Sequence, residues 1–356
     1  MLGFCLIPRP TSTTYTFFKL FQREMDRYLT KQTNSFNIDH NHEYEEFRKA
    51  GEPSTFVDRV YKKSEQPRIP FKSHRIWVTD LNNPREMLTI FKDVFLVNQL
   101  SKTNQVLDSS ASKVGQKWDH YIWTQDKTLI PETVKFFKRI GVEVRELKEL
   151  PNYKGQIRET IDNYMIDGIG VGVACDILRM LINYDEGGLY LDMDFYIEEW
   201  DANLNYYFDF FGFRDREFDV QYFTTWGFGS KPGHIIHKTY LEIFNDFTQM
   251  DAAKRPYFIN ECMYKAVGAV LFKTGPFYYG KIFSKFNNLE GNQDVLIENP
   301  TYTNIYDTEF KFEDKGEIKN VTIRLIGRQF GQGSWTRDYQ DLQIFGWPEL
   351  SIAKNL

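Results

Sequence analysis

Residues 174–196 read ACDILRMLINYDEGGLYLDMDFY, which sets an Asp-x-x-Arg, a double glycine and an Asp-x-Asp inside an otherwise apolar run. The spacing predicts a helix over about residues 172–184, ended by Gly187 and Gly188, which release the chain into LYLDMDF. On that helix Asp176 and Arg179 stand three apart and share a face, while Ile177, Leu181 and Tyr184 occupy another. Alternation in the following strand places Leu189, Leu191 and Met193 on one side and Tyr190, Asp192 and Asp194 on the other. Two carboxylates roughly 7 Å apart at the end of a buried strand repel each other and lose solvation, so they need a counter-charge. A divalent cation, Mn²⁺ or Mg²⁺, suits hard oxygen ligands and keeps positions open for phosphate oxygens, which predicts a diphosphate ligand. The competing reading leaves both aspartates solvated at a strand end, with Arg179 neutralising one of them.

Outward from this stretch, short apolar strands alternate with helical runs. HRIWVTD is followed by a helix near residues 85–100, then DHYIWTQD, a helix after Pro131, and VEVREL. That order predicts an α/β fold with a mainly parallel, Rossmann-like central sheet. Residues 1–65 read differently: Phe17, Leu20, Phe21, Met25, Tyr28 and Leu29 recur at helical intervals, and a second helix is expected over residues 44–61. The prolines and charges of KKSEQPRIPFKS, residues 62–73, mark a boundary. The expected division is a helical region, 1–68, that attaches to a membrane or partner or caps the core, and a catalytic domain, 69–356.

Composition narrows the function classes. The 356 residues carry 44 basic and 49 acidic side chains, a net charge of −5 that gives no general reason to bind nucleic acid. Cys5, Cys175 and Cys262 are too few and too far apart for a disulfide framework or a metal knuckle, so reduced thiols are expected. The first residues lack a basic start and a sustained apolar stretch, so no cleavable signal is expected, and no run approaches the ~20 apolar residues of a membrane span. A soluble protein acting in a cytosol follows as the expectation. His234 and His237 are three apart with no acid or cysteine near them in sequence, and are read as packing or surface residues.

The order Asp-x-x-Arg, helix, Gly-Gly, x-Tyr-x-Asp-x-Asp is similar to the DXD region of GT-A type glycosyltransferases. These include the fungal initiating mannosyltransferases, capsular sugar transferases and, nearest in spacing, the large clostridial glucosylating toxins and related bacterial effectors. Thirteen positions separate Arg179 from Asp192, as in that pattern. SHRIWVTD supplies Ile76 and Trp77 where such proteins begin their nucleotide-binding half, and HYIWTQD resembles their second strand, with Trp123 and Asp126 at the base or ribose. FTTWGFGSKPGHIIHKTY resembles the donor-sugar floor, with Thr224 and Thr225 where toxin relatives carry an asparagine. GRQFGQGSWTRD resembles the closing lid, in which Ser334 and Trp335 reach the phosphate and glycosidic oxygen. Its upstream metal ligand is unmatched, which leaves Gln329, Gln332 or water.

The resemblance implies a nucleotide-sugar fold and a retaining, metal-dependent hexosyl transfer. UDP-glucose is the expected donor, bound by Trp77, Ile76, Asp176, Arg179, Tyr190, Asp192, Ser334 and Trp335. Asp194 would bind Mn²⁺ or Mg²⁺ directly and Asp192 would hold the ribose or reach the metal through water. Asp176 and Arg179 would grip sugar hydroxyls and Trp335 would donate to the leaving group. The implied acceptor is a protein hydroxyl, the setting that of a secreted effector in a host cytosol, with peripheral membrane attachment through the N-terminal helices. The alternatives are a transferase building polysaccharide or glycolipid, and a nucleotide-sugar-binding module without turnover. An Asp-nucleophile phosphatase is disfavoured, because its Asp-x-Asp follows the first strand of the domain and this pair lies more than a hundred residues into the chain.

Overall fold

GLYL at 188–191 is apolar on both faces, and a strand of that kind must be covered from both sides. The computed structural model describes Met25, Leu29 and residues 54–90, 94–166, 170–215, 223–251, 254–255, 274–299 and 305–329, and in it all four of those residues are buried. The strand is β5 (Gly188–Leu191) of a seven-stranded sheet. The other members are β2 (Lys72–Ile76), β3 (Asp119–Thr124), β4 (Glu143–Glu146), β7 (Phe210–Asp215), β8 (Phe223–Ser230) and β9 (Asp294–Asn299), in the order β4-β3-β2-β5-β8-β7-β9. Neighbours from β4 to β5 are parallel, as are β7 and β9, whereas β8 runs antiparallel to both β5 and β7. The sheet is therefore mainly parallel, as the alternation of elements predicts.

Helices cover both faces. Of the helices used below, α1 is Val94–Ser112, α2 Pro131–Arg139, α3 Gly155–Ile166, α4 Val171–Glu186, α5 Ile235–Gln249 and α6 Pro276–Phe286. Successive residues of β2 point to opposite faces: Arg75 bonds Asn104 of α1, while His74 shares its face with Tyr190, whose ring lies under Arg179 of α4. Helix α4 packs between α3 and α5 as well as on the sheet, so it is buried almost all round. The sequence reading gave it one apolar and one polar face; the structure buries both, which is why its Asp176 and Arg179 need partners inside the protein.

A second sheet, β1-β10-β11-β6, was not anticipated. It joins β1 (Val60–Lys62), β6 (Phe195–Glu199), β10 (Ile305–Asp314) and β11 (Glu317–Gln329). Lys315 and Gly316, both at positive φ, close the β10–β11 hairpin in the two-residue manner that matches strand twist. The helix expected over 44–61 is corrected here: Ser54–Val57 is helical, but Val60–Lys62 is a strand pairing in parallel with 311–313, and 44–53 lie outside the described residues. Burial of the Tyr61 ring among Phe208, Phe310 and Phe312 overrides the local helical pattern. Met25 and Leu29 are helical and fully buried, as their spacing predicts; Phe17, Leu20, Phe21 and Tyr28 lie outside the described residues. Around the expected boundary at 68, Arg68 and Ile69 donate backbone bonds to Asn205, and Arg68 pairs with Asp209. Among the described residues no helix is long and apolar enough to cross a membrane.

The double glycine is a requirement of close packing. Gly188 has φ +101, and a Cβ there would stand 2.4 Å from the Lys72 carbonyl oxygen of the neighbouring strand. His74 sits beside it, fully buried. Trp123 donates its indole N–H to Nδ1 at 3.1 Å, so Nε2 carries the proton and donates to the Gly187 carbonyl at 2.8 Å. Burial lowers the His74 pKa from 6.5 to about 4.

Two outcomes follow for stability. Gly188→Ala should lower the free energy of unfolding by roughly 3 kcal/mol in urea denaturation, from left-handed strain and backbone collision together. Because the folded His74 resists protonation, its contribution is present above pH 6.5 and is lost as pH falls toward 4, where the unfolded chain has already taken up the proton. The stability gap between the wild type and His74→Phe should therefore shrink by about 3 kcal/mol from neutral pH to pH 4. A constant gap would show that the ring is not held neutral.

Candidate active site

The chain leaves the large sheet at Leu191 and enters the small one at Phe195, so the Asp-x-Asp occupies the junction between them. This revises the sequence reading. Strand alternation ends at Leu191, and Met193 and Asp194 lie in a tight turn in which Phe195 N donates to Asp192 O at 3.2 Å. The Asp192 N–H is fixed to the Trp226 carbonyl of β8 at 2.7 Å. Tyr190 and Asp192 do share a side, because the Tyr190 hydroxyl donates to Asp192 Oδ1 at 2.7 Å. Burial pushes that hydroxyl well above the ordinary tyrosine range, so it remains a donor.

Arg179 organises what lies behind the turn. Its Nη2 is 3.0 Å from Asp176 Oδ1, its Nη1 is 2.5 Å from the Thr225 carbonyl oxygen and 3.5 Å from Asp192 Oδ1, and its Nε donates to the Cys175 carbonyl. The guanidinium also lies 5.1 Å from the centre of the Tyr190 ring. Burial alone would weaken its charge, but Asp192 and its other neighbours outweigh that and raise its pKa. Asp176 is 2% exposed, and Thr274 donates to its other oxygen at 3.0 Å. Burial raises the pKa of Asp176 to about 6 against the opposing pull of Arg179 and Thr274. Asp192 is likewise raised to about 6, by burial first, with Arg179 opposing and the nearby Asp194 charge adding to the rise. A quarter of the Asp192 side chain stays exposed, so this carboxylate, unlike Asp176, faces outward.

The other residues expected at the site fall into three groups. Ile76 ends β2 and Trp77, the next residue, lies beside the turn: its ring packs in the cluster of Ile122, Phe136, Phe137 and Val144, and Met193 packs on that cluster. The Trp77 indole N–H bonds the Arg85 carbonyl at 3.0 Å. The Trp226 carbonyl meets the turn at Asp192 N and the Thr225 carbonyl accepts from Arg179, whereas the Thr224 hydroxyl is turned to Phe213 O. Ser334, Trp335 and Gln332 lie outside the described residues, but β11 ends with Gln329 paired to Phe195, one residue from Asp194. Gly327 permits that approach, since a Cβ there would be 2.6 Å from the Phe195 ring.

The remaining assignments fare differently. Trp123 is fully buried with its N–H on His74, so it does not line a base pocket, and Asp126 caps the turn at Lys127–Leu129. His234 and His237 are packing residues as read, but neither is on the surface, and Asp294 meets His234 at 2.9 Å across sixty residues of sequence. Asp176 and Arg179, expected to grip sugar hydroxyls, are committed to one another and to Thr274, Thr225 and Asp192 in this structure. Thr274 was not anticipated: it reaches Asp176 across 98 positions, and nothing local marks it. Among the described residues no set of three His, Cys, Asp or Glu converges as a metal cage.

No family model matches the chain, and no curated protein matches it. Among solved structures it is similar to the PaToxG glycosyltransferase, at 13% identity over 69% of this chain and 78% of that one, with a TM-score of 0.45. It is also similar to the UDP-bound glycosyltransferase domain from the YGT toxin, at 10% identity over 65% and 79%, TM-score 0.40. A third is the catalytic domain of alpha-toxin from Clostridium novyi, at 9% identity over 68% and 69%, TM-score 0.34. Likeness at this level assigns no residue a role.

Replacing Arg179 by Met should leave the buried Asp176 and the partly exposed Asp192 without their shared cation and lower stability by about 3–5 kcal/mol in urea denaturation. An unchanged midpoint would show that Arg179 does not hold this site together.

Proposed function

We propose that the chain is a glycosyltransferase that takes a hexosyl group from a nucleoside diphosphate sugar, UDP-glucose being the first donor to test, and passes it to a protein hydroxyl. One observation carries the reading. Two carboxylates, one of them backed by a buried guanidinium, sit at the carboxyl edge of a parallel sheet, where open α/β sheets bind ligands. The donor set fits Mn²⁺ or Mg²⁺: hard oxygens, a partly exposed Asp192, and an Asp194 close enough to raise its neighbour's pKa. Asp194 is assigned as the direct ligand, and Asp192 as the group that holds the ribose or reaches the metal through water. When bound, the cation would offset negative charge on the departing nucleoside diphosphate.

The chain's own residues supply orientation. Arg179 keeps Asp192 ionised and aimed, Asp176 and Thr274 fix Arg179, and the Tyr190 hydroxyl sets the Asp192 rotamer. Trp77 and Ile76 are assigned to the base at the end of β2. Ser334 and Trp335 are assigned to the phosphate and leaving oxygen, an assignment supported by the pairing of Gln329 beside Phe195. Retention of anomeric configuration, with attack on the face the diphosphate leaves, belongs to the same proposal, as does an acceptor protein in a host cytosol. A nucleotide-sugar-binding module is the second reading, favoured by the absence of a third convergent acid among the described residues.

Purified protein given UDP-glucose, UDP-N-acetylglucosamine or a GDP-sugar with Mn²⁺ or Mg²⁺ should release the nucleotide from one of them. Asp194→Ala and Asp192→Ala should each slow that release by roughly 10²–10³-fold or more. Native rates in either variant would remove these residues from the site, and donor binding without release would select the binding module.

A further inference from the structure

Trp77, assigned to the base, is held by groups that the candidate active site does not otherwise use. It follows the last residue of β2 and is 8% exposed, so only a small part of the ring is open to a ligand, and the tilt of the ring decides what that part presents. Two supports set the tilt. The indole N–H donates to the Arg85 carbonyl oxygen at 3.0 Å, and the ring packs with Met87 and with Phe136 and Phe137 of α2.

One carboxylate fastens both supports. Helix α2 has Ile130 as its N-cap, a side chain that accepts no hydrogen bond, so its first N–H groups need a partner from elsewhere. Glu86, in the loop after β2, supplies it: Oε1 accepts from Glu132 N at 3.1 Å, and Oε2 accepts from Thr133 N at 2.7 Å and from the Thr133 hydroxyl at 2.5 Å. The same hydroxyl accepts from Met87 N at 2.8 Å, so the residue after Glu86 is tied to α2 as well. The peptide that carries the Arg85 carbonyl leads directly into Glu86, and its other side is also fixed, Arg85 N donating to Thr79 Oγ1 at 2.8 Å. Thr79 is held in turn by Gln125, the residue after β3, whose amide accepts from the Thr79 N–H at 3.3 Å and donates to its carbonyl oxygen. The Arg85 carbonyl is therefore clamped between the end of β3 and the start of α2, and Glu86 is the α2 side of the clamp.

Helix capping alone accounts for a carboxylate at this place. It does not require that the adjacent carbonyl hold the indole, or that the capped helix carry the two phenylalanines packed against that ring. We propose that Glu86 is a positioning residue for the base half of the donor site: by capping α2 and fixing the peptide before it, Glu86 holds the Trp77 ring at the tilt that receives a flat base. This rests on the assignment of Trp77 to the base. Glu86 itself touches no substrate. Asp192 is held by Trp226, Tyr190 and Arg179 instead, so the diphosphate end of the site is fastened separately.

The test takes two measurements on the full chain. In the free protein, the Trp77 indole N–H resonance, assigned with Trp77→Phe, should move in Glu86→Ala, and by less in Glu86→Gln, which keeps the volume and one accepting oxygen. In titrations with Mn²⁺, Glu86→Ala should bind UDP about tenfold more weakly, the order of one base–aromatic stack, and should bind inorganic pyrophosphate as the wild type does. In a Trp77→Ala background the same substitution should cost UDP nothing further. Glu86→Gln, expected to change in the same directions, decides the matter if Glu86→Ala does not fold. An unmoved resonance, unchanged UDP affinity, an equal loss for UDP and pyrophosphate, or a full loss in the Trp77→Ala background overturns the role of Glu86 and leaves the reading of the site standing. A wild type that binds UDP no better than pyrophosphate overturns the assignment of Trp77 to the base, and this role with it.

Discussion

A guanidinium buried between two carboxylates is the constraint on which the candidate active site depends. Arg179 cannot be removed from water unless acids meet it, and Asp176 and Asp192 cannot be buried together unless a cation lies between them. Each of the three is tolerable only with the other two. Asp176 is wholly internal, with Thr274 on its remaining oxygen, so it anchors the arginine, whereas Asp192 keeps a quarter of its side chain open and points the assembly outward. The buried end supplies rigidity and the open end is the part that solvent or a ligand can reach. Backbone carbonyls of β8 complete the frame by taking the Arg179 Nη1 and the Asp192 N–H, which ties helix, strand and turn to one another.

Much of this was legible in the sequence because it is local. Asp176 and Arg179 are three apart on a helix, and the double glycine marks the helix end and a close strand contact. β3, β4 and α2 fall where their apolar spacing and Pro131 place them. The parts that were missed are of another kind. Thr274 meets Asp176, and Asp294 meets His234, only because distant segments fold together, and no spacing rule records such pairs. Tyr61 was read as helical because its neighbours in sequence are helical, yet its ring is claimed by Phe208, Phe310 and Phe312. The Lys-Gly turn of the β10–β11 hairpin leaves little mark in the sequence, since lysine at positive φ is a weak turn signal. Asp194 was placed by extending the alternation of β5, and that extension failed because the chain changes sheets there.

The buried histidines show the same division between local pattern and tertiary demand. His74, His120 and His237 all have pKa values lowered by burial, and each is held by neighbours that a neutral ring can satisfy: Gly187 and Trp123, Ser73, and Ser230. They serve as fixed hydrogen-bonding struts between strands of the large sheet and what surrounds them. Burial keeps all three rings neutral at neutral pH, so none of them adds a charge to the large sheet there.

The position of the Asp-x-Asp between two sheets also bears on how the molecule comes into being. Its upstream side is anchored in β5, and its downstream side in β6, which bonds Thr103 of α1 and pairs with β11, whose last residue is Gln329. The strand pairing that completes this side therefore waits until residue 329 has been translated and has found a partner made more than a hundred residues earlier. The same hairpin also recruits β1, so the small sheet is a clasp that closes only after strands far apart in sequence have met.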